Sequence, residues 1–429
     1  MEKVKTGKLI LNKSEISKSL LFAFLLISLI LYLFVANEII WSLYVLFLAL
    51  IAMVRKKLTL QPSSLTLLLS VPLVWGLIMS FDKDLLNTAK GFFYLSIPLI
   101  MILIGLQMSK IYDEKQFFSF VRTAGNVIAL LFIFFTIMRA GFIAFISPYT
   151  EARFVVGSGS PACVLSLILG IYSDKFGLSL YKNATSRWFS ILINLIAIYL
   201  FASRTYWVML FLFIIIFSLK TMRKDKLLFF ILIFASCLIL LTVWINSKNN
   251  LSFNNSILFK LVHSFNEIKL SDLKTRNEIN IYYRGYESYR SWQTFKSGNL
   301  PELLFGGGFG QMVDLKTEVL LAGEYWKSVP WVHNGFFFVL VKLGAFGLIS
   351  ILLFFIYLAD QGIRGFGSKD RLRQFQSILI LCCAASVFMT NFVDCGLYNF
   401  EMSLILITLG FLIATHLTNS HPIRKGDSE

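Results

Sequence analysis

Long apolar runs recur along the whole chain and limit its fold more than any other feature. Twelve can be marked, at about 19–36, 37–54, 64–80, 91–108, 117–139, 155–173, 189–203, 205–219, 227–246, 334–359, 377–395 and 398–416. A helix of roughly 20 apolar residues spans the hydrocarbon core of a bilayer. Inside that core no water binds backbone N–H and C=O groups, so such a run must pair them within itself as a helix. The runs at 189–203 and 205–219 are short and adjoin, as in a tight hairpin. Apolar residues make up 57% of the chain and mean hydropathy is +0.72, above what soluble domains carry. The first run lacks the small-residue boundary of a cleaved signal peptide. The expected fold is an all-α integral membrane protein. It has about 12 transmembrane helices and one large extracytoplasmic loop carrying short helices.

The net charge of +16 raises the question of nucleic acid, and its distribution answers it. Short connections on one side carry 23 basic residues, from Lys3 to Lys18, Arg55 to Lys57 and onward to Lys425. Those on the other side carry five: Lys83, Lys90, Arg139, Arg153 and Arg204. The excess of Lys and Arg marks the cytoplasmic face, so both termini are expected in the cytoplasm and no nucleic-acid partner is expected. The expected organisation is a tail at 1–18, a bundle of about nine spans at 19–246, and an outer loop at 247–332. Three more spans at 333–416 and a tail at 417–429 complete it. The outer loop holds ten basic and eight acidic residues and is nearly neutral.

The five cysteines, Cys163, Cys237, Cys382, Cys383 and Cys395, all fall in or beside apolar runs, with no CxxC pair. They read as buried thiols. Four scattered histidines have no metal-ligand spacing, so no metal site and no cofactor are expected.

Polar chemistry gathers at the outer face. Glu151-Ala-Arg153 precedes two glycines and Pro161, a pattern that predicts an irregular helix entry, either an ordinary join or a cavity wall with Arg153 inward. Arg204 lies in a connection too short to leave the membrane boundary; it is either an interfacial anchor or the partner of an anion. Arg122, near the cytoplasmic end of its run, reads as snorkelling. The loop at 247–332 is long enough to be functional. A helix is predicted over 278–297, with Tyr282, Tyr286, Tyr289 and Gln293 on one face. Such tyrosines suit a sugar ring, and equally suit packing the loop onto the bundle. Arg284 and Arg290 lie about 120° apart on that helix and so do not serve one ligand group. Gly306 to Gly310 form a glycine turn, a weak signal outside a nucleotide-binding context. His333 stands at the mouth of the next apolar run, where an imidazole can accept a proton or simply end the helix. Lys342 lies about 13 Å deeper and needs a partner; Asp394 and Glu401 are the candidates.

These residues resemble a known family. His333-Asn-Gly-Phe-Phe-Phe-Val-Leu-Val-Lys-Leu-Gly344-Ala-Phe-Gly347-Leu resembles the HN…L…G..GL signature of the O-antigen polymerase and ligase superfamily. Ser203-Arg204 opening a run, and Arg284 and Trp292 before Leu-Phe-Gly-Gly-Gly-Phe-Gly, resemble its other two motifs. The likeness covers most of the chain in architecture and about 60 residues in motif. It implies a metal-independent, multi-span glycosyltransferase of the bacterial inner membrane, acting on glycans carried by undecaprenyl diphosphate. Arg204 and Arg284 would hold the diphosphate, and His333 would help activate the acceptor hydroxyl. Arg153, Arg290, Tyr282, Tyr286, Trp292 and Asn334 complete the implied substrate-binding set. The looser Arg-to-Trp spacing here leaves Arg290 competing with Arg284. A flippase and a chain-length regulator are implied as partners. The wording of the histidine motif leans to polymerase over ligase. A flippase for lipid-linked glycans is the rival from another class, but transporters often carry internal repeats and none is seen here.

Overall fold

The computed structural model describes residues 13–55, 58, 60, 63–145, 156, 159–221, 269–321 and 323–420. Eight helices come first: α1 (Lys13–Leu31), α2 (Asn37–Arg55), α3 (Ser63–Ile78), α4 (Leu85–Met108), α5 (Glu114–Ala140), α6 (Ala162–Tyr172), α7 (Ala184–Leu200) and α8 (Arg204–Thr221). Three short helices follow, α9 (Arg276–Ile281), α10 (Tyr283–Lys296) and α11 (Leu300–Phe305), then an antiparallel hairpin of β1 (Val313–Leu321) and β2 (Glu324–Val329). The described residues end on α12 (Gly335–Phe366), α13 (Arg371–Asp394) and α14 (Ser403–Ser420). Helices thus stand at eleven of the twelve apolar runs; the run at 227–246 lies outside the described residues.

Six of these helices, α2, α4, α5, α8, α12 and α13, are long and apolar enough to cross a membrane. The protein is a mostly helical membrane protein. Ile349, Leu352, Leu353, Ile356 and Ile363 of α12 are exposed, and a helix that turns such a face outward needs an apolar surrounding. Asp113 and Gln116 form a reciprocal capping box at α5, and Asn299 and Glu302 form another at α11, so first-turn amides are satisfied.

Helices α4, α12, α13 and α14 form the centre, with α1 to α3 and α5 to α8 around them. The α4 and α14 backbones touch. A Cβ on Gly105 would lie 2.1 Å from the Ile407 carbonyl oxygen, and one on Gly410 would lie 2.3 Å from that of Ile102. Small residues let helices approach this closely where no hydrophobic force drives them together.

The glycine turn is part of this frame. Helix α12 is broken at Gly344, whose φ is +66°. There the Val341 and Lys342 carbonyls accept from the amides of Gly307 (3.0 Å) and Gly308 (3.1 Å). Gly306 sits at φ +83°, and a Cβ on it would lie 2.3 Å from the Lys342 carbonyl. The Phe309 amide donates to Ser80 Oγ at 2.7 Å, which ties the turn to the end of α3. Irregular backbone of this kind is tolerated in a membrane protein where protein surrounds it.

Three sequence expectations change here. The segment expected as a loop carries a β-hairpin as well as short helices, because residues 313–329 alternate buried and exposed positions on a two-residue period. The helix predicted over 278–297 is two helices, broken at Tyr282 (φ −113°, ψ 35°). The partner of Lys342 is neither Asp394 nor Glu401: its Nζ donates to the Phe309 carbonyl at 2.6 Å and lies 5.9 Å from the Phe338 ring centre.

Candidate functional site

Helix α10 sorts its side chains by face. Tyr283, Glu287 and Ser291 recur every four residues and share one stripe. That stripe is joined by hydrogen bonds: the Tyr283 hydroxyl donates to Glu287 Oε1 at 3.0 Å, and Ser291 Oγ donates to the Glu287 carbonyl at 2.8 Å. The other carboxylate oxygen, Oε2, accepts from the His333 backbone amide at 2.7 Å and pairs with His333 Nδ1 at 3.0 Å. The Glu287 side chain is 1% exposed, against 28% for His333. A buried carboxylate with each oxygen engaged holds one ring nitrogen of a half-exposed imidazole.

The consequence is a defined tautomer. A carboxylate only accepts, so the proton of a neutral His333 ring belongs on Nδ1. Nε2 then carries the lone pair and can receive a proton. Burial, with the Glu287 charge next, pushes the Tyr283 phenol far above its ordinary range, so it stays a donor to Glu287 at any physiological pH. The imidazole is framed by Trp331, with ring centres 4.9 Å apart, and by Tyr283 edge-on at 5.9 Å. The His333 carbonyl accepts from the amide of Cys395, a left-handed residue (φ +50°) that ends α13. His333 is therefore fixed from α10 and from the end of α13 together.

Arg284 and Arg290 lie three residues either side of Glu287, about 60° from it on opposite flanks. Arg290 Nε donates to the Asp314 carbonyl at 2.9 Å, on the hairpin side. Arg284 is half-buried, and among the described residues its guanidinium makes no hydrogen bond or ion pair. Of the two, Arg284 is the one left to meet a ligand.

The remaining expected residues divide. Arg204 opens α8, half-buried. Two residues on, the Tyr206 hydroxyl donates to Glu401 Oε2 at 2.9 Å. From there the 395–402 turn leads to the Cys395 amide and the His333 carbonyl, which places Arg204 at the same end of the bundle. Tyr286 is buried, and its hydroxyl donates to the Leu315 carbonyl at 2.5 Å. It docks the hairpin and offers no ring face to a sugar. Asn334 caps α12, its Oδ1 accepting from the amides of Phe336 (3.1 Å) and Phe337 (3.3 Å). Tyr282 forms the joint between α9 and α10. Trp292 packs on Phe295 and Phe337. Arg153 lies outside the described residues.

Sequence reasoning missed Glu287. Its signal was present as Tyr283, Glu287 and Ser291 at four-residue spacing, but the two arginines drew the reading. Among the described residues, no group of three or more His, Cys, Asp or Glu is placed to hold a metal ion. Four cysteines, Cys163, Cys382, Cys383 and Cys395, are buried free thiols, and Cys237 lies outside the described residues. Two cavities are lined by other residues, one of about 480 Å³ between α1 and α5 and one of about 420 Å³ beside Asp174 and Arg187. No protein-family model matches the chain, and no curated protein matches it.

Proposed function

We propose that this chain is a surface-polysaccharide polymerase of the O-antigen type. It would transfer a growing glycan from undecaprenyl diphosphate onto the next lipid-linked repeat, at the outer face of the bacterial cytoplasmic membrane. In this reading the chain crosses the membrane about twelve times, with both termini in the cytoplasm. The observation that carries it is the pair of Glu287 Oε2 and His333 Nδ1 at 3.0 Å, which leaves Nε2 as a proton acceptor beside a membrane-embedded bundle.

The chemistry follows. His333 Nε2 takes the proton of the acceptor hydroxyl as its oxygen bonds to the anomeric carbon. The bond from that carbon to the diphosphate oxygen breaks, and its electron pair leaves with undecaprenyl diphosphate. Arg284, half-buried with no partner among the described residues, meets the charge that develops on the leaving group. A guanidinium matches phosphate oxygens in a two-pronged fashion, and preorganised charge at that position lowers the barrier. Arg204 assists from α8. Glu287 stabilises the imidazolium formed on His333, as a buried carboxylate does in other histidine bases.

The test is incubation of the purified protein, in liposomes, with an undecaprenyl-diphosphate repeat unit, followed by a gel of lipid-linked sugars. A ladder of increasing length supports the polymerase. One-step transfer only when lipid A-core is supplied would make it a ligase. No product of either kind from folded protein would remove the glycosyltransferase reading.

A further inference from the structure

The His333 carbonyl is held by the turn that follows α13, and that turn is held in its place by one buried side chain. Asn391 lies in the last turn of α13 and is fully buried. Its Oδ1 accepts from the Leu397 amide at 3.2 Å, which closes the chain reversal at 395–397 back onto the helix. The same oxygen abuts the start of α12: a Cβ built on Gly335 would lie 2.0 Å from it. One carboxamide thus stands between two pieces of backbone. The first begins α12, two residues after His333. The second is the turn whose Cys395 amide donates to the His333 carbonyl. The amine Nδ2 of Asn391 donates to nothing among the described residues, so the oxygen is the atom that the fold uses.

His333 therefore hangs on two restraints. Glu287 Oε2 holds the backbone amide and Nδ1 from α10, and the Cys395 amide holds the carbonyl from the end of α13. The second restraint depends on where the turn sits. The turn has no slack, since a Cβ on Gly396 would lie 1.9 Å from Thr390 Oγ1. Without the Asn391 oxygen the Leu397 amide is buried and unpaired, and the turn must open to satisfy it. The Cys395 amide then leaves the His333 carbonyl, and the imidazole pivots on Glu287. We infer that Asn391 is a positioning residue for His333, acting through the contacts at Gly335 and Leu397 to aim Nε2. This rests on the reading of His333 as the base and adds a residue to it. A reacting group held to within a fraction of an ångström needs such support from residues that never touch the substrate.

The test uses the full-length protein in detergent with 15N-labelled histidine, read by NMR at a pH where the ring is neutral, with His333→Gln assigning the signal. The parent is expected to show the His333 ring protonated on Nδ1 alone. Asn391→Ala should show a mixture of the two tautomers. In glycan transfer it should lower kcat about ten- to hundred-fold, the effect of moving a reacting group by about 1 Å, with KM little changed. Gly335→Ala removes no hydrogen bond but pushes the two pieces of backbone apart, so it should give the same two signatures and keeps the test open where Asn391→Ala does not fold. The double variant relieves that overlap, and its loss should be smaller than the product of the single losses. A folded Asn391→Ala or Gly335→Ala with the ring still protonated on Nδ1 alone and kcat unchanged would overturn the inference, whatever its melting temperature. If the parent transfers no glycan, the reading of the site fails, and the ring signal alone still decides whether Asn391 positions His333.

Discussion

Lys342 Nζ donates to the Phe309 carbonyl at 2.6 Å across 33 residues of sequence, joining the interior of α12 to the glycine turn. The lysine is 1% exposed, so the carbonyl and the Phe338 ring replace water around it. Lys342→Met keeps length and volume but leaves the Phe309 carbonyl unpaired. Its cost is that of one unsatisfied buried acceptor, about 1–3 kcal/mol. A lowered melting temperature in detergent checks this, and an unchanged one would mean that water reaches the turn.

Gly344 at this junction carries a separate prediction. Gly344→Ala forces a side chain into φ +66° and into the Leu304 carbonyl, 2.5 Å from its Cβ. That backbone, with ψ −165°, is essentially restricted to glycine and alone costs about 1–3 kcal/mol, and the overlap adds to it. Gly367 is the control: a Cβ there meets nothing within 4 Å and φ is −89°. Gly344→Ala should fall in yield and melting temperature, and Gly367→Ala should match the parent.

Tyr286→Phe removes one hydroxyl from the joint between α10 and β1. The lost hydrogen bond to Leu315 is worth about 1 kcal/mol, and the ring stays buried. Hydrogen exchange of hairpin amides should quicken while the bundle is unchanged. A loss of sugar binding without faster hairpin exchange would instead give Tyr286 a role at the ligand.

These predictions also mark what the sequence could and could not disclose. The apolar runs place α2, α5 and α8 within a few residues, because helix length and bilayer thickness are tied by geometry alone. The entry near Pro161 is irregular as predicted, and α6 begins only at Ala162. The hairpin stayed hidden because Val313 to Val329 is short and lies beside aromatic and charged residues that fit a helix as well. The partner of Lys342 stayed hidden because a backbone carbonyl leaves no trace in a list of side chains. Glu287 is the instructive case. The four-residue spacing of Tyr283, Glu287 and Ser291 sets a shared stripe, but its burial shows only when α10 is laid against His333.

Glu287→Gln tests that arrangement. The amide keeps the shape and can still accept from His333, but it no longer stabilises a charged imidazolium. A correctly positioned base contributes about 10²–10⁴-fold, and much of that should be lost in kcat with KM little changed. Glu287→Asp retracts the charge and should recover part of it. If Glu287→Gln transfers sugar at the parent rate, His333 does not act as the base.

The two arginines flanking Glu287 give the sharpest contrast, because they differ in what already holds them. Arg290 is tied to Asp314 and the hairpin, so Arg290→Ala should lower stability by about 1 kcal/mol and leave transfer largely intact. Arg284 has no partner among the described residues, so Arg284→Ala costs the fold little. It should cost transfer heavily, since a diphosphate leaving group would meet one fewer positive charge as its own charge grows. Arg284→Lys keeps the charge without the two-pronged geometry and should fall between parent and alanine. Melting temperature and single-turnover transfer, measured together on the three variants, separate the two roles. The reverse pattern, with Arg290→Ala inactive but stable, would move the diphosphate to the hairpin side of α10.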